Sequence, residues 1–460
     1  MKFIGRVKEL SKIQSLISSK EMKTCLLYGR RRVGKSELIK QALSTSQSKN
    51  IYYICKQTTE ENNAECISQL ISETMNFPKL GFKTIEEILE YLFQLSTENK
   101  IVLVLDEYPY LRNNVKGLDS ILQSLIDKYR SSSSLTLIIL GSYIDVMKSL
   151  LEEENPLYGR MDSVIKLSPM NYYDSSLFYP NFSFEDKVRI YSVFGGIPYY
   201  NRLIDDTKSV KKNIIELIAS SDARLENEVS MYLEGEMNKI VNANETFETL
   251  AKGYSKYNDI LSQSHVSSGP TLVDVLNKLT NMEIVSKIVP INDENNKRKT
   301  GYRICDNFSL FYYKYIFRFA SQLKIMNPNA FYDSFISKDF EEKFVPMQFE
   351  DIAKQYLIRL NLDGKMNPPF FKIGKYYYDD QKNHRNGEFD IVTEDENGYV
   401  FYEVKFQKHI LSKSEIEKEI NQVLLTGFNC YKFVFITRNG IEEINDKRTE
   451  NILLEDLYQI

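Results

Sequence analysis

Gly29-Arg30-Arg31-Arg32-Val33-Gly34-Lys35-Ser36 is the stretch whose reading decides the fold. It has the pattern GxxxxGK[ST] and lies between a β-branched and apolar run, Thr24–Tyr28, and a helical pattern over Lys35–Leu43. The glycines let the backbone curl until successive N–H groups aim at phosphate oxygens, and the positive end of the following helix adds to that attraction. Lys35 is then placed for the β- and γ-phosphates of a nucleotide, and the Ser36 hydroxyl for Mg2+. The arginines Arg30, Arg31 and Arg32 sit inside the loop, which favours phosphate contacts or capping over a DNA-binding run. A chance match in a glycine-containing turn would lack the flanking strand and helix.

Three more continuous apolar segments, Ile51–Cys55, Ile101–Leu105 and Leu135–Leu140, alternate with helical patterns at Asn63–Met75, Ile85–Leu95 and Gly117–Tyr129. Uninterrupted apolar strands separated by helices predict a parallel sheet covered on both faces. Ile101–Leu105 ends in Asp106-Glu107, so two carboxylates emerge at the tip of a buried strand. Asp106 suits Mg2+ coordination through water, and Glu107 suits polarising the attacking water. Ser142, just past the next strand, reads either as a γ-phosphate sensor or as a strand-ending turn. Arg160, in Asn155-Pro156-Leu157-Tyr158-Gly159-Arg160, reads either as a stabiliser of transition-state charge, in cis or from a neighbouring subunit of a homo-oligomer, or as a structural ion pair.

Phe3-Ile4-Gly5-Arg6 with Glu9, GRRRVGKS at 29–36, VLVLDEYPYL at 102–111, LGS at 140–142, LYGR at 157–160 and GGIPYY at 195–200 together resemble the archaeal-type ATPases. These are AAA-related P-loop proteins of the signal-transduction (STAND) type. The resemblance covers about residues 1–320. It implies ATP with Mg2+ as the bound nucleotide, Ile4, Gly5 and Arg6 near the adenine, a helical lid opened by Gly195–Pro198, and a winged helix beyond it.

Farther along, Glu388–Val392 and Tyr399–Lys405 read as two strands of a hairpin. If Asn397-Gly398 forms a two-residue turn, Asp390 lies opposite Lys405; if Glu396-Asn397 forms it, Asp390 lies opposite Glu403. Either register puts Asp390, Glu403 and Lys405 on one sheet face, whereas an odd loop would move Asp390 away. Two carboxylates and a lysine there can hold a Mg2+ or Mn2+ ion and activate water beside a phosphodiester. Glu350, on the amphipathic helix containing Phe349-Glu350-Asp351-Ile352-Ala353, could add a ligand. Glu-x-Lys by itself usually marks a solvated strand face. With helix Lys413–Leu425 and strand Tyr431–Ile436 following, however, the set resembles the PD-(D/E)xK nuclease fold, with Phe389 where a proline usually precedes the aspartate. The archaeal-type ATPases commonly end in such a domain, which either cleaves or is retained for binding.

Between these regions, helical stretches Phe247–Leu261 and Thr271–Leu279 precede strand-like runs Ile284–Pro290 and Thr300–Arg303, an order that fits a winged helix. Its basic residues (Lys278, Lys287, Lys297, Arg298, Lys299) are offset by Asp274, Asp293 and Glu294, leaving DNA contact and protein packing both open. Phe308–Phe319 reads as a packing stripe, and His384 as a loop residue. Across the 460 residues, 59 Lys and Arg against 63 Asp and Glu leave a formal charge of −4, which excludes a protein coating nucleic acid along its whole surface but not a local basic patch. Five cysteines without a CxxC pair, and three histidines, argue against structural zinc and for a reducing compartment. Charged residues Arg6, Lys8 and Glu9 interrupt any signal-like start, and the apolar runs are too short to span a bilayer, so a cytoplasmic protein without membrane contact is expected.

The predicted class is α/β: a P-loop parallel-sheet core over 1–170, a helical lid over 171–240, a winged helix with its connecting helix over 241–320, and a PD-(D/E)xK-like α/β domain over 321–460. The predicted function is an ATP-hydrolysing, Mg2+-dependent switch coupled to a DNA-acting domain that is endonucleolytic on one reading. The alternative is an ATP-controlled regulator or assembly protein whose nuclease-like domain only binds DNA or protein.

Overall fold

The computed structural model describes residues 3–78, 81–226, 228–229, 242–296, 299–380 and 385–459. Lys297, Arg298 and His384 lie outside the described residues. The chain forms two compact units, one of Met1–Pro169 with Ile197–Tyr199, the other of Met170–Gly196 with Tyr200–Ile460. No helix among the described residues is long and apolar enough to cross a membrane.

The first unit is built on a five-stranded sheet of β1 (Lys23–Tyr28), β2 (Lys49–Ile54), β3 (Ile101–Asp106), β4 (Thr136–Gly141) and β5 (Ser163–Lys166), in the order β2-β3-β4-β1-β5. All its pairings are parallel. β3 and β4 are buried at every residue, as strands covered by helices on both faces must be. Leu103, Leu105, Leu137 and Ile139 share one core with the helices Glu60–Met75, Ile85–Leu95 and Leu118–Tyr129. Helix Ile85–Leu95 starts where its apolar period does because Thr84 and Glu87 form a reciprocal capping box. β5 escaped the sequence reading: Ser-Val-Ile-Lys is four residues long and alternates buried with exposed, as an edge strand does.

The order of the strands positions everything at their tips. β4 lies between β1 and β3, so the residue after β4 falls between the phosphate loop that follows β1 and the acidic pair that ends β3.

The second unit begins with helices Tyr172–Ser176, Phe184–Phe194 and Val210–Leu217. Three helices follow (Ala243–Ala251, Tyr257–Gln263, Gly269–Asn281), then a hairpin of β6 (Val285–Ile288) and β7 (Gly301–Ile304). The expected single helix over Phe247–Leu261 is two, divided at Gly253, whose φ of 98° no ordinary helix residue adopts. Phe308, Phe311, Tyr313 and Tyr315 are buried, with Phe308 4.8 Å from the ring of Tyr200 and Phe311 edge-on to Phe340 and Phe344. The aromatic segment is therefore a packing stripe.

After helix Val345–Leu362 comes a mixed sheet of β8 (Lys372–Asp380), β9 (Arg385–Asp395), β10 (Gly398–Lys405), β11 (Cys430–Thr437) and β12 (Thr449–Leu453), in the order β12-β11-β10-β9-β8. β8, β9 and β10 pair antiparallel; β10, β11 and β12 pair parallel, with helix Lys413–Leu425 crossing between β10 and β11. The outer edge of β8 is not left open. Ile291 N donates to Lys375 O at 2.8 Å, and Asn292 exchanges hydrogen bonds with the backbone of Tyr377 at 2.8 and 3.0 Å. The loop after β6 thus supplies the partner that an edge strand otherwise seeks from another chain.

Gly196 shows how tightly this unit closes on itself. A Cβ there would lie 1.8 Å from Met170 O, the carbonyl of a residue whose own N–H donates to Gly196 O at 2.7 Å. Gly196→Ala must therefore move backbone, and we expect a loss of roughly 2–4 kcal/mol in urea unfolding.

Candidate active sites

The phosphate loop curls as its glycines allow. Gly34 has φ 94°, and a Cβ on Gly29 would stand 2.2 Å from Leu167 O. Lys35 Nζ is buried beneath the loop and donates to Gly29 O (2.7 Å), Arg30 O (3.1 Å) and Ser142 Oγ (3.0 Å). Ser142 Oγ donates in turn to Glu107 Oε1 at 2.7 Å. Ser142 is thus the bridge between the lysine and the acid, a place it owes to β4 lying between β1 and β3. Glu107 sits in the left-handed region (φ 55°), an uncommon conformation for a residue with a side chain, and its Oε2 is buried with no hydrogen-bond partner among the described residues.

Asp106 is buried but well compensated. It accepts from Ser36 Oγ at 2.7 Å, from the Tyr52 hydroxyl, and from Glu107 N at 3.0 Å. Each hydrogen bond to a buried carboxylate contributes on the order of 1.5–3 kcal/mol. Burial and the adjacent Asp106 push the Tyr52 phenol far up, so it stays a donor. The donor set fits Mg2+: a hydroxyl and a carboxylate already in contact at the head of the loop, both hard oxygen ligands.

The remaining loop residues anchor the loop. Arg6 Nη2 donates to Ser168 O (2.5 Å) and Val33 O (3.4 Å), which holds the segment Ile4-Gly5-Arg6 against the loop. Arg30 is buried, Arg31 reaches the hydroxyls of Tyr143 (3.2 Å) and Tyr110 (3.4 Å), and the Arg32 guanidinium lies 4.2 Å from the Tyr199 ring centre.

Arg160 is not brought to this site. Thr24 Oγ1, near the start of β1, donates to Arg160 O at 2.6 Å, whereas the phosphate loop follows the opposite end of that strand. Its guanidinium pairs with Asp127 at 2.8 Å. The cis role is corrected by this placement, and the structural ion pair is what the position supports.

At the C-terminal sheet, β10 pairs with β9 from Gly398↔Asp395 through Phe401↔Val392 to Tyr402↔Ile391, so the two-residue turn is Glu396-Asn397, and the same register continued one step beyond the ladder's end would set Glu403 opposite Asp390. The register with Asp390 opposite Lys405 is not adopted. Asp395 decides between them: its Oδ1 accepts from Asn397 N at 2.8 Å, closing the turn, while its Oδ2 accepts from the Tyr431 hydroxyl at 2.5 Å. A bulge on β9 sets Asp390 and Ile391 opposite the single residue Lys375 of β8.

Lysines already hold these acids. Lys375 Nζ lies 2.8 Å from Asp390 and 2.6 Å from Glu388; Lys405 Nζ lies 2.5 Å from Glu403 and 3.9 Å from Glu419. Burial drives the Glu350 carboxyl up to about 8, with Asp390 adding and Lys375 opposing. Burial also raises Glu403, against Lys405. The structure therefore collects Glu350, Asp390, Glu403 and Lys405 in one electrostatic cluster. Among the described residues, however, no three His, Cys, Asp or Glu side chains are arranged to hold a metal ion. Of the three predicted carboxylate ligands, Asp390 and Glu403 carry the amines of Lys375 and Lys405 in this arrangement.

Residues 3–231 match a family described as an ATPase domain predominantly from Archaea. The first half of the chain is a P-loop ATPase domain of that family. Residues 312–420 match a second family, described as archaeal and bacterial proteins of unknown function. An uncharacterized protein of Methanocaldococcus jannaschii is 27% identical over 464 residues, covering 99% of both chains. Among solved structures, the Walker-type ATPase of Pyrococcus abyssi is 19% identical with a TM-score of 0.52, covering 68% of this chain and 96% of its own. The ORC2 protein of Aeropyrum pernix is 13% identical with a TM-score of 0.43, over 72% and 96%.

Around the ATPase domain's loop, sequence reasoning missed Tyr52 and Tyr199. Tyr52 looked like one more strand residue, and only the β2–β3 pairing brings it to Asp106. Lys375 was missed because β8 was not delimited; its signal was a lysine immediately before the run Tyr376–Tyr378, ahead of Asp390.

The Glu350 shift makes a pH prediction. The unfolded carboxyl titrates near 4.5 and the folded one near 8, so between these values the folded state holds the extra proton. Stability therefore falls as pH rises through that window. In chelator, Glu350→Gln should remove this slope and, at pH 9, exceed the parent by a few kcal/mol in urea unfolding, with little difference at pH 4.

Proposed function

We propose that the chain is a Mg2+-dependent ATP hydrolase whose nucleotide state controls a nucleic-acid-acting C-terminal domain. The observation that carries the first half is the chain of contacts Lys35 Nζ–Ser142 Oγ–Glu107 Oε1, ending in the buried and unpartnered Glu107 Oε2. In this reading the loop amides and Lys35 hold the phosphates, and Ser36 with Asp106 would hold Mg2+. That ion, when bound, supplies positive charge against the phosphate oxygens. Lys35 exchanges Ser142 for phosphate, and the serine hydroxyl, still donating to Glu107, positions that acid while it orients the water. Ile4, Gly5 and Arg6 flank the adenine. Gly195–Tyr200, whose Pro198 and Tyr199 pack on Gly34 and Arg32, transmits the nucleotide state to the helical lid.

The C-terminal fold is read as PD-(D/E)xK-like, with Asp390, Glu403, Lys405 and Glu350 as its working residues. A second reading, in which the domain binds without cutting, is favoured by Lys375 on Asp390 and Lys405 on Glu403. The three helices and hairpin are read as a winged helix used for packing. The exposed face of Gly269–Asn281 carries Val273, Asp274 and Asn277, and Lys278 is taken by Asp274 at 2.7 Å, a poor surface for phosphates.

Lys35→Ala should abolish ATP binding in calorimetry, whereas Glu107→Gln should bind normally and lose about 10²–10⁴-fold in phosphate release. Wild-type turnover in Glu107→Gln would remove it as the water-orienting acid. Separately, Mg2+- or Mn2+-dependent cutting of DNA that vanishes in Asp390→Ala supports the nuclease reading; metal-independent binding without cutting supports the second.

A further inference from the structure

The loop after β6, the bulged edge of the C-terminal sheet and helix Val345–Leu362 enclose a cavity of ≈ 450 Å³ that reaches Glu350 and Asp390. Three of the cations lining it are matched: Arg303 to Asp351 (2.6 Å), Lys372 to Glu294 (3.3 Å) and Lys375 to Asp390 (2.8 Å). Two are not. Lys354 and Lys287 line the same cavity and have no hydrogen bond or ion pair among the described residues. Lys354 is half-buried one helical turn beyond Glu350, where burial, Arg303 and Lys375 work against its charge and only Asp351, already paired with Arg303, favours it. An ammonium held there without a partner is best compensated by an anion that arrives from outside.

The walls limit what that anion belongs to. The loop is fastened to β8 by the hydrogen bonds of Ile291 and Asn292, and it approaches so closely that a Cβ on Gly374 would lie 2.9 Å from Ile291 Cγ2. A space of this size is in the range of small-ligand sites, roughly 300–1,000 Å³. It has room for a nucleotide or two of one strand and not for the paired strands of a duplex together. Among the described residues no aromatic side chain lines the cavity, so recognition falls to the phosphates rather than to base stacking.

We propose that this cleft takes a single nucleic-acid strand, with Lys354 and Lys287 on the phosphates that flank the bond presented to Asp390 and Glu350. The proposal rests on the reading of the C-terminal domain as acting on nucleic acid.

The test is fluorescence anisotropy of the full chain in EDTA with a labelled 12-nucleotide DNA strand and with the same sequence as a blunt duplex. Expected is single-strand binding at least tenfold tighter than duplex binding. Lys354→Met and Lys287→Ala should each weaken it by about three- to tenfold and reduce its salt dependence by about one phosphate contact. Thermal unfolding checks that both variants are folded, and Lys287 is exposed enough that its replacement leaves packing alone. Equal binding of strand and duplex, or binding that neither substitution moves, overturns this inference while leaving the nucleic-acid reading intact. Binding of neither oligonucleotide overturns both.

Discussion

One hydroxyl holds the nucleotide end of this protein together. Ser142 accepts from Lys35 and donates to Glu107, so a cation that would grip phosphate and an acid that would direct water share a single intermediary. That arrangement is a consequence of strand order. Were β1 and β3 neighbours, the lysine and the acid would lie side by side and no residue of β4 could stand between them. With β4 inserted, any group that draws Lys35 away alters the hydrogen bonding of Glu107 in the same step. The left-handed backbone at Glu107 and its unpaired oxygen cost free energy in the resting protein, and such strain persists only where the surroundings impose it.

The C-terminal cluster follows the opposite logic. There the acids are neutralised in advance: Asp390 and Glu403 by lysines, Glu350 by burial that keeps its proton. A cation entering would have to displace amines and a proton together, which makes occupancy sensitive to pH and to small movements of β8. An edge strand that needed protection against pairing with other chains has become the wall of a cleft.

Much of this was legible in the sequence. The phosphate loop, its strand and helix, and the acidic pair could be read because each depends on local pattern: glycines where the backbone must curl, and uninterrupted apolar runs where strands are covered on both faces. The hairpin carrying Asp390 and Glu403 could be narrowed to two registers, and the choice between them rested on Asp395 capping its own turn, a detail that both registers tolerate on paper. What could not be read depends on which strands become neighbours. Tyr52 meets Asp106, Lys375 meets Asp390, and Arg160 falls at the far end of β1 only once the sheets are assembled. The loop around Arg160 left a transition-state role and a structural ion pair both open, and only the assembled fold pins its backbone to Thr24 and its side chain to Asp127.

The relay through Ser142 is tested most directly by Ser142→Ala, measured for Mg2+-ATP affinity and for single-turnover phosphate release. The account predicts affinity within about twofold of the parent and release slowed by roughly ten- to a hundredfold, because Lys35 still grips phosphate while Glu107 loses its partner. Unchanged release would contradict it.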